Sequence, residues 1–206
     1  MTVADIKIQT LKLMGLNSED ISPAILPDLY ADENYTDYLS QMPPAITRAM
    51  NRIKTAGVVP QKSYSEDALT ENKRIAKYDL NALIPDFSKL RRVVVESETG
   101  YCGNYPYTFE GVNVVLFGLR DGQTVTFIYE PKMPVITTVT PDSTEIPLPD
   151  ELAALLPYFV KADVYEQDEP ELATQSRNIF ELMLAEYYSQ EQNVEAGIDS
   201  VYTQGW

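Results

Sequence analysis

Apolar positions along the chain follow two regimes: helical spacing near both ends, and short β-branched or aromatic runs between them. Over residues 2–14, Val3, Ile6, Thr10, Leu11 and Met14 form a stripe at helical spacing, with Thr2 placed to cap it and Gly15 to end it, which predicts a first helix. Leu16 to Asp32, with Pro23 and Pro27, reads as loop with short turns, and a helical segment is predicted around Tyr35 to Gln41. Pro43 and Pro44 suit a helix start, so Ile46, Ala49, Met50 and Ile53 predict a separate amphipathic helix that stops at Gly57. Val58 to Glu71 shows little periodicity and reads as a linker.

The middle of the chain changes character. Arg74 to Leu80 reads as a strand, and Asn81 to Lys89 as a short apolar connection or helical turn. Strands are then predicted over Val93 to Val95, Tyr105 to Phe109, Val112 to Phe117, Thr124 to Tyr129 and Val135 to Val139, separated by Thr99-Gly100, Glu110-Gly111, Asp121-Gly122 and Pro131 to Pro134. Helical spacing returns at Leu152, Leu155, Leu156 and Phe159, with Pro157 marking a kink or restart. Asp168, Pro170 and Glu171 form the signature of a second helix start, followed by a broad stripe of Leu172, Ile179, Phe180, Met183, Tyr187 and Tyr188. The pattern fades at Gly197, leaving an apolar, aromatic tail.

The expected fold is therefore α+β. Helices of residues 1–73 and a helical hairpin of residues 146–192 form one bundle, with a small antiparallel β-module of residues 74–145 inserted between them. Residues 193–206 are expected to form an extended tail that docks on a partner through Val201, Tyr202 and Trp206, because Trp and Tyr anchor interfaces.

Composition narrows the chemistry. The 206 residues carry a net charge of −15, which disfavours gripping nucleic acid through its phosphates. There is no histidine, which excludes histidine bases, triads and ligands, and Cys102 is the only cysteine, which excludes an internal disulfide or a cysteine-cluster metal site. No phosphate loop, dinucleotide fingerprint or nucleophile elbow occurs. Asp163, Glu166, Asp168, Glu169 and Glu171 are the densest carboxylates, but they crowd a turn, where solvation, capping or calcium attraction suits them better than acid–base work. No catalytic residue, cofactor or metal site is expected. The amino terminus does not read as a signal peptide and no membrane contact is expected. Arg48, Arg52 and Lys54 stand out as cations on one helix of an acidic chain, and together with Asp163, Glu166 and Glu171 they are candidates for a contact between subunits.

Several segments carry a resemblance. They are Tyr38-Leu39 and Met42-Pro43 followed by Ile46-Thr-Arg-Ala-Met-Asn-Arg-Ile53, then Leu148-Pro-Asp-Glu-Leu152, Tyr158-Phe-Val-Lys-Ala162, Asp168-Glu-Pro-Glu-Leu-Ala173 and Asn178-Ile-Phe-Glu181. In this order they resemble the head-to-tail adaptor proteins of tailed bacteriophages along nearly the whole chain. The resemblance implies a non-enzymatic virion protein, made in the host cytoplasm and placed at the head–tail junction. It implies a ring, usually of twelve copies, bound to the portal protein and to a tail or nozzle protein, with packaged DNA passing through without specific binding. It also implies that the terminal segment reaches the portal. The alternative is another tail or baseplate component whose β-module binds protein or glycan.

Overall fold

Thr2 opens the first helix. Its hydroxyl accepts the Asp5 amide at 3.2 Å while the Asp5 carboxylate accepts the Thr2 amide at 2.8 Å, a closed capping box. The bond from the Thr2 backbone holds the Asp5 carboxyl below its ordinary pKa. The computed structural model describes residues 1–15, 22–57, 60–67, 75–97, 100–120 and 122–203. Helix α1 spans Val3–Leu13; a single 3-10 turn, Pro23–Ile25, leads into α2, Leu26–Ala31. Helix α3 spans Glu33–Thr55. It runs unbroken through Pro43 and Pro44, where the sequence predicted a new start. The two prolines remove two backbone donors, yet Leu39, Met42, Ala45, Ile46, Ala49, Met50 and Ile53 form one fully buried face on both sides of them, and that packing keeps the axis continuous.

The β-unit, Val59–Lys132, contains seven strands and one short helix among its described residues: β1 Lys62–Asp67, β2 Ile75–Asp79, α4 Leu80–Leu83, β3 Phe87–Ser97, β4 Gly100–Asn104, β5 Tyr107–Glu110, β6 Asn113–Phe117 and β7 Thr124–Pro131. Two antiparallel sheets form, in the orders β1-β7-β3-β4 and β2-β6-β5. Their inner faces share a core that includes Tyr78, Val93, Val95, Val114, Leu116, Val125 and Phe127, with the Tyr78 and Phe127 rings edge to face at 5.1 Å. Gly111, at φ 63°, makes the predicted turn between β5 and β6.

The boundaries differ from those read in the sequence. Residues 62–67 are a strand, not linker. Lys-Ser-Tyr-Ser-Glu-Asp lies at a sheet edge with one face exposed and the other half-buried through Tyr64 alone among apolar side chains, so it carries no apolar alternation to be read. Conversely, Val135 to Val139 is not a strand. Ile136 is buried in the helical core, and its amide donates to the Thr47 hydroxyl at 2.8 Å while that hydroxyl donates to the Ile136 carbonyl at 3.1 Å. The chain that follows is tied to α1, through Val3 N–H to Thr144 O and Ala4 N–H to Asp142 O, both 2.9 Å.

The helical unit comprises Met1–Val58 and Met133–Trp206. Its later helices are α5 Asp150–Ala153, α6 Leu156–Val164 and α7 Pro170–Thr203. Pro157 sits in the first turn of α6, so the predicted restart is there. Ala173 N–H bonds to Glu169 O at 2.9 Å, which puts Glu169, rather than Asp168, at the start of α7. Helix α6 is central, packing against α1, α3 and α7, and Phe159 of α6 meets Phe180 of α7 edge to face at 5.1 Å. The tail expected to be extended is helical as far as Thr203. A single Gly197 costs about 1 kcal/mol against alanine inside a helix, too little to end one.

Candidate functional site

The charge of the chain is concentrated in one of its two units. The helical unit holds 7 Lys and Arg against 21 Asp and Glu, a balance of −14, whereas the β-unit holds 9 against 10. Most cations of the helical unit are engaged inside it. Lys7 is buried, with its ammonium 2.5 Å from Asp142 Oδ1 and 2.5 Å from the Tyr30 hydroxyl. Lys161 donates to the Leu13 carbonyl at 2.7 Å. Arg48 of α3 donates through Nε to both Asp163 oxygens, at 3.1 and 3.3 Å, and a second guanidinium nitrogen bonds the same carboxylate. Arg177 approaches Asp163 from α7 at 3.7 Å while lying over the Phe159 ring. Arg52 grips Glu181 with two bonds of 2.9 and 2.6 Å.

Two of the predicted subunit-contact cations, Arg48 and Arg52, thus meet carboxylates of their own chain. Helix α3 lies along α6, so its polar edge faces the polar edges of α6 and α7, and the pairs close within one bundle. Lys54 is half-buried in the last turn of α3. Glu166 and Glu171 are exposed, as are Asp168 and Glu169 beside them. A hollow of about 360 Å³ lies among Gln41, Pro44, Arg48, Asp163, Glu166 and Gln167. Its only cation is already bound to Asp163, so the hollow offers an acidic rim and no paired acid and base.

The predicted docking residues Val201 and Tyr202 belong to α7, but their side chains, and all of Trp206, lie outside the described residues. Among the described residues no group of three or more acidic, cysteine or histidine side chains is arranged to hold a metal ion, and no helix is long and apolar enough to cross a membrane.

Apolar exposure is the feature the sequence left undivided. The broad stripe read on α7 splits in two: Phe180 and Leu184, with Ala173 and Ser176, are buried, while Leu172, Ile179 and Met183, joined by Leu182, are exposed. In the helical unit Val135 and Val139 are also exposed, and in the β-unit Ile75 and Phe117, direct cross-strand partners of β2 and β6, are exposed together with Phe109 and Val112. The signal for α7 was its arc of apolar positions, wider than one packing partner covers once Leu182 is counted. Compared with known proteins, the chain matches no family model and no curated protein sequence.

Proposed function

We propose that this chain is a head-to-tail adaptor of a tailed bacteriophage, a non-enzymatic virion protein that forms a ring of about twelve copies beneath the portal, the number being the one its resemblance implies. The observation that carries the reading is architectural: helices from both ends of the chain close into one bundle around α6, and a self-contained β-unit is inserted between them. That is the arrangement implied by the resemblance. The charge distribution supports it, because a helical unit at −14 repels phosphate and would let packaged DNA pass without holding it. In this reading the ring extends the DNA channel, helps retain the genome and offers the tail or nozzle protein a surface. Val201, Tyr202 and Trp206 reach the portal, while the exposed carboxylates Glu166 and Glu171 remain candidates for neighbour contacts. Arg48 and Arg52 then act chiefly by fixing the bundle through Asp163 and Glu181, and Lys54 remains a candidate for a neighbour contact.

Native mass spectrometry of the full chain mixed with the portal ring from the same genome tests this. The expected result is one complex with a single ring of this chain per portal, lost when residues 197–206 are deleted. Absence of a complex with an intact portal overturns the adaptor reading.

A second reading is favoured by the exposed Ile75, Phe117, Phe109 and Val112 of the β-unit. There the chain is a tail or baseplate component, and these side chains bind another protein or a glycan. Immunogold labelling at the distal tail instead of the head–tail junction would select it.

A further inference from the structure

Helix α7 carries more apolar surface than its own chain covers. Leu172, Ile179, Leu182 and Met183, beside the buried face, are 41, 36, 71 and 37% exposed. They lie within little more than three turns, where a helix with water on its outer side carries polar residues. A second apolar patch stands elsewhere on the same unit: Val135 and Val139 are 71 and 88% exposed, on the segment that Ile136 anchors to Thr47 of α3.

Charge decides what can approach these patches. Two helical units, each at −14, repel over most of their surfaces. From Leu172 to Ala185, however, the only charged residues are Arg177 and Glu181, and each is paired with a partner in its own chain. From Met133 to Pro141 there is no charged residue at all. Exposed Glu171 and Glu186 flank the α7 stripe, but the 133–141 segment carries no charge to oppose them, so these two patches of two copies can meet without bringing like charges together. Moreover, the two surfaces are distinct: α7 is carried by α6, and the 133–141 segment by Thr47 of α3. A contact that joins two different patches of identical copies propagates from one copy to the next, as a closed ring requires.

We propose that the α7 stripe of one copy docks on the Val135–Val139 segment of the next, so that apolar contact rather than charge attraction holds neighbours together. This rests on the ring reading above and names the contact within it. Each patch is small beside the roughly 800 Å² per partner of a stable standard interface, so isolated copies associate weakly and association strengthens when salt screens the acidic surfaces.

Sedimentation velocity on the full chain at high protein concentration and high salt provides the test, with wild type, Leu182→Glu, Val139→Glu and an equal mixture of the two variants. Both substituted side chains are in water, and unchanged circular dichroism verifies folding. The wild type should form oligomers that grow with concentration, each variant alone should remain monomeric, and the mixture should stop at one-to-one dimers, since each variant keeps one working patch. Self-association of Val139→Glu at wild-type strength would indicate α7 pairing with α7 and overturn the proposal. A monomeric mixture overturns it too, as does a wild type that stays monomeric in high salt and gives no disulfide between Leu182→Cys and Val139→Cys copies in a Cys102→Ser background. Portal binding is scored separately. The expected pattern of self-association without a portal complex would leave the contact standing and end the adaptor reading. Leu182→Glu that self-associates normally but loses the portal complex would instead assign the stripe to the portal.

Discussion

Arg52 of α3 closes on Glu181 of α7 with two parallel bonds, Nε to Oε1 at 2.9 Å and a terminal nitrogen to Oε2 at 2.6 Å, joining helices 129 residues apart in sequence. Both side chains are about 40% exposed, so solvent screens the pair, and a double-mutant cycle read by urea unfolding should give a coupling of about 0.5 kcal/mol. Asp163 differs, being 12% exposed and shared by Arg48 and Arg177. Its replacement by alanine should cost about 1 kcal/mol, more than loss of Glu181, because two guanidinium groups share the mostly buried carboxylate, although at 55 and 39% exposure both regain water when it is removed. Equal costs for Asp163→Ala and Glu181→Ala would contradict this ranking by burial.

Phe180 is fully buried against Phe159, and Arg177 covers the outer side of the Phe159 ring at 4.6 Å. Phe180→Ala should therefore destabilise the helical unit by about 3–5 kcal/mol, whereas Leu182→Ala, one turn face away and exposed, should change stability by less than about 0.5 kcal/mol. Chemical denaturation of the two variants separates a helix held on one side from a helix held on both.

In the β-unit, Asp86 accepts from Lys62 at 2.6 Å and from the Tyr129 hydroxyl at 2.9 Å. The Lys62 bond holds the Asp86 carboxyl below its ordinary pKa, while burial, then the bond and charge of Asp86, push the Tyr129 phenol up to about 12. The folded form therefore keeps a proton that the unfolded chain releases near pH 10. The stabilisation is complete below pH 10 and is lost as pH rises from 10 through about 12. Across that window the wild type should lose stability relative to Tyr129→Phe, measured as the difference in urea midpoint; parallel curves would show that the phenol ionises as freely as in the unfolded chain.

Gly118 adopts φ 80°, and a Cβ there would stand 3.4 Å from the Tyr105 hydroxyl, which itself donates to the Phe117 carbonyl at 2.5 Å. Gly118→Ala should lower the melting temperature of the β-unit, corresponding to about 1–2 kcal/mol of left-handed strain. An unchanged melting temperature would mean that the turn relaxes to a negative φ.

The helices were legible wherever a cap and a one-sided apolar stripe coincided. Thr2 with Asp5 and Gly15 frame α1, and the apolar positions from Ile46 to Ile53 mark the second half of α3. Proline misled in one place and guided in another. Pro43 and Pro44 are overridden by tertiary packing over several turns on both sides, while Pro157 is preceded only by the single turn of α5, buried through Leu152 and Ala153, and does mark a restart. Strand β1 escaped notice because pairing with β7, not burial, defines it. The two-sided use of α7 was hidden for the opposite reason. Periodicity gives the width of an apolar arc but not how much of it a neighbouring helix covers, and α6, at nine residues, covers only part. Likewise, charge pattern identified Arg48, Arg52 and Asp163 as groups seeking opposite charge, but only the packing of α3 on α6 and α7 shows that they find it at home.

The insertion of the β-unit also sets the order in which the chain can mature on the ribosome. Residues 59–132 form a contiguous segment with their own core and can fold as soon as they emerge. The first three helices, by contrast, have emerged earlier but still lack α6, the piece against which α1 and α3 pack, and Phe180, which seals it. Val3 and Ala4 bond to Thr144 and Asp142, the Met1 carbonyl accepts the Ile146 amide, and none of these partners exists until most of the chain has been made. Nascent α1 and α3 therefore present their apolar faces longest, and the period when this protein most needs protection from misassociation is the interval between translation of residue 56 and translation of residue 184.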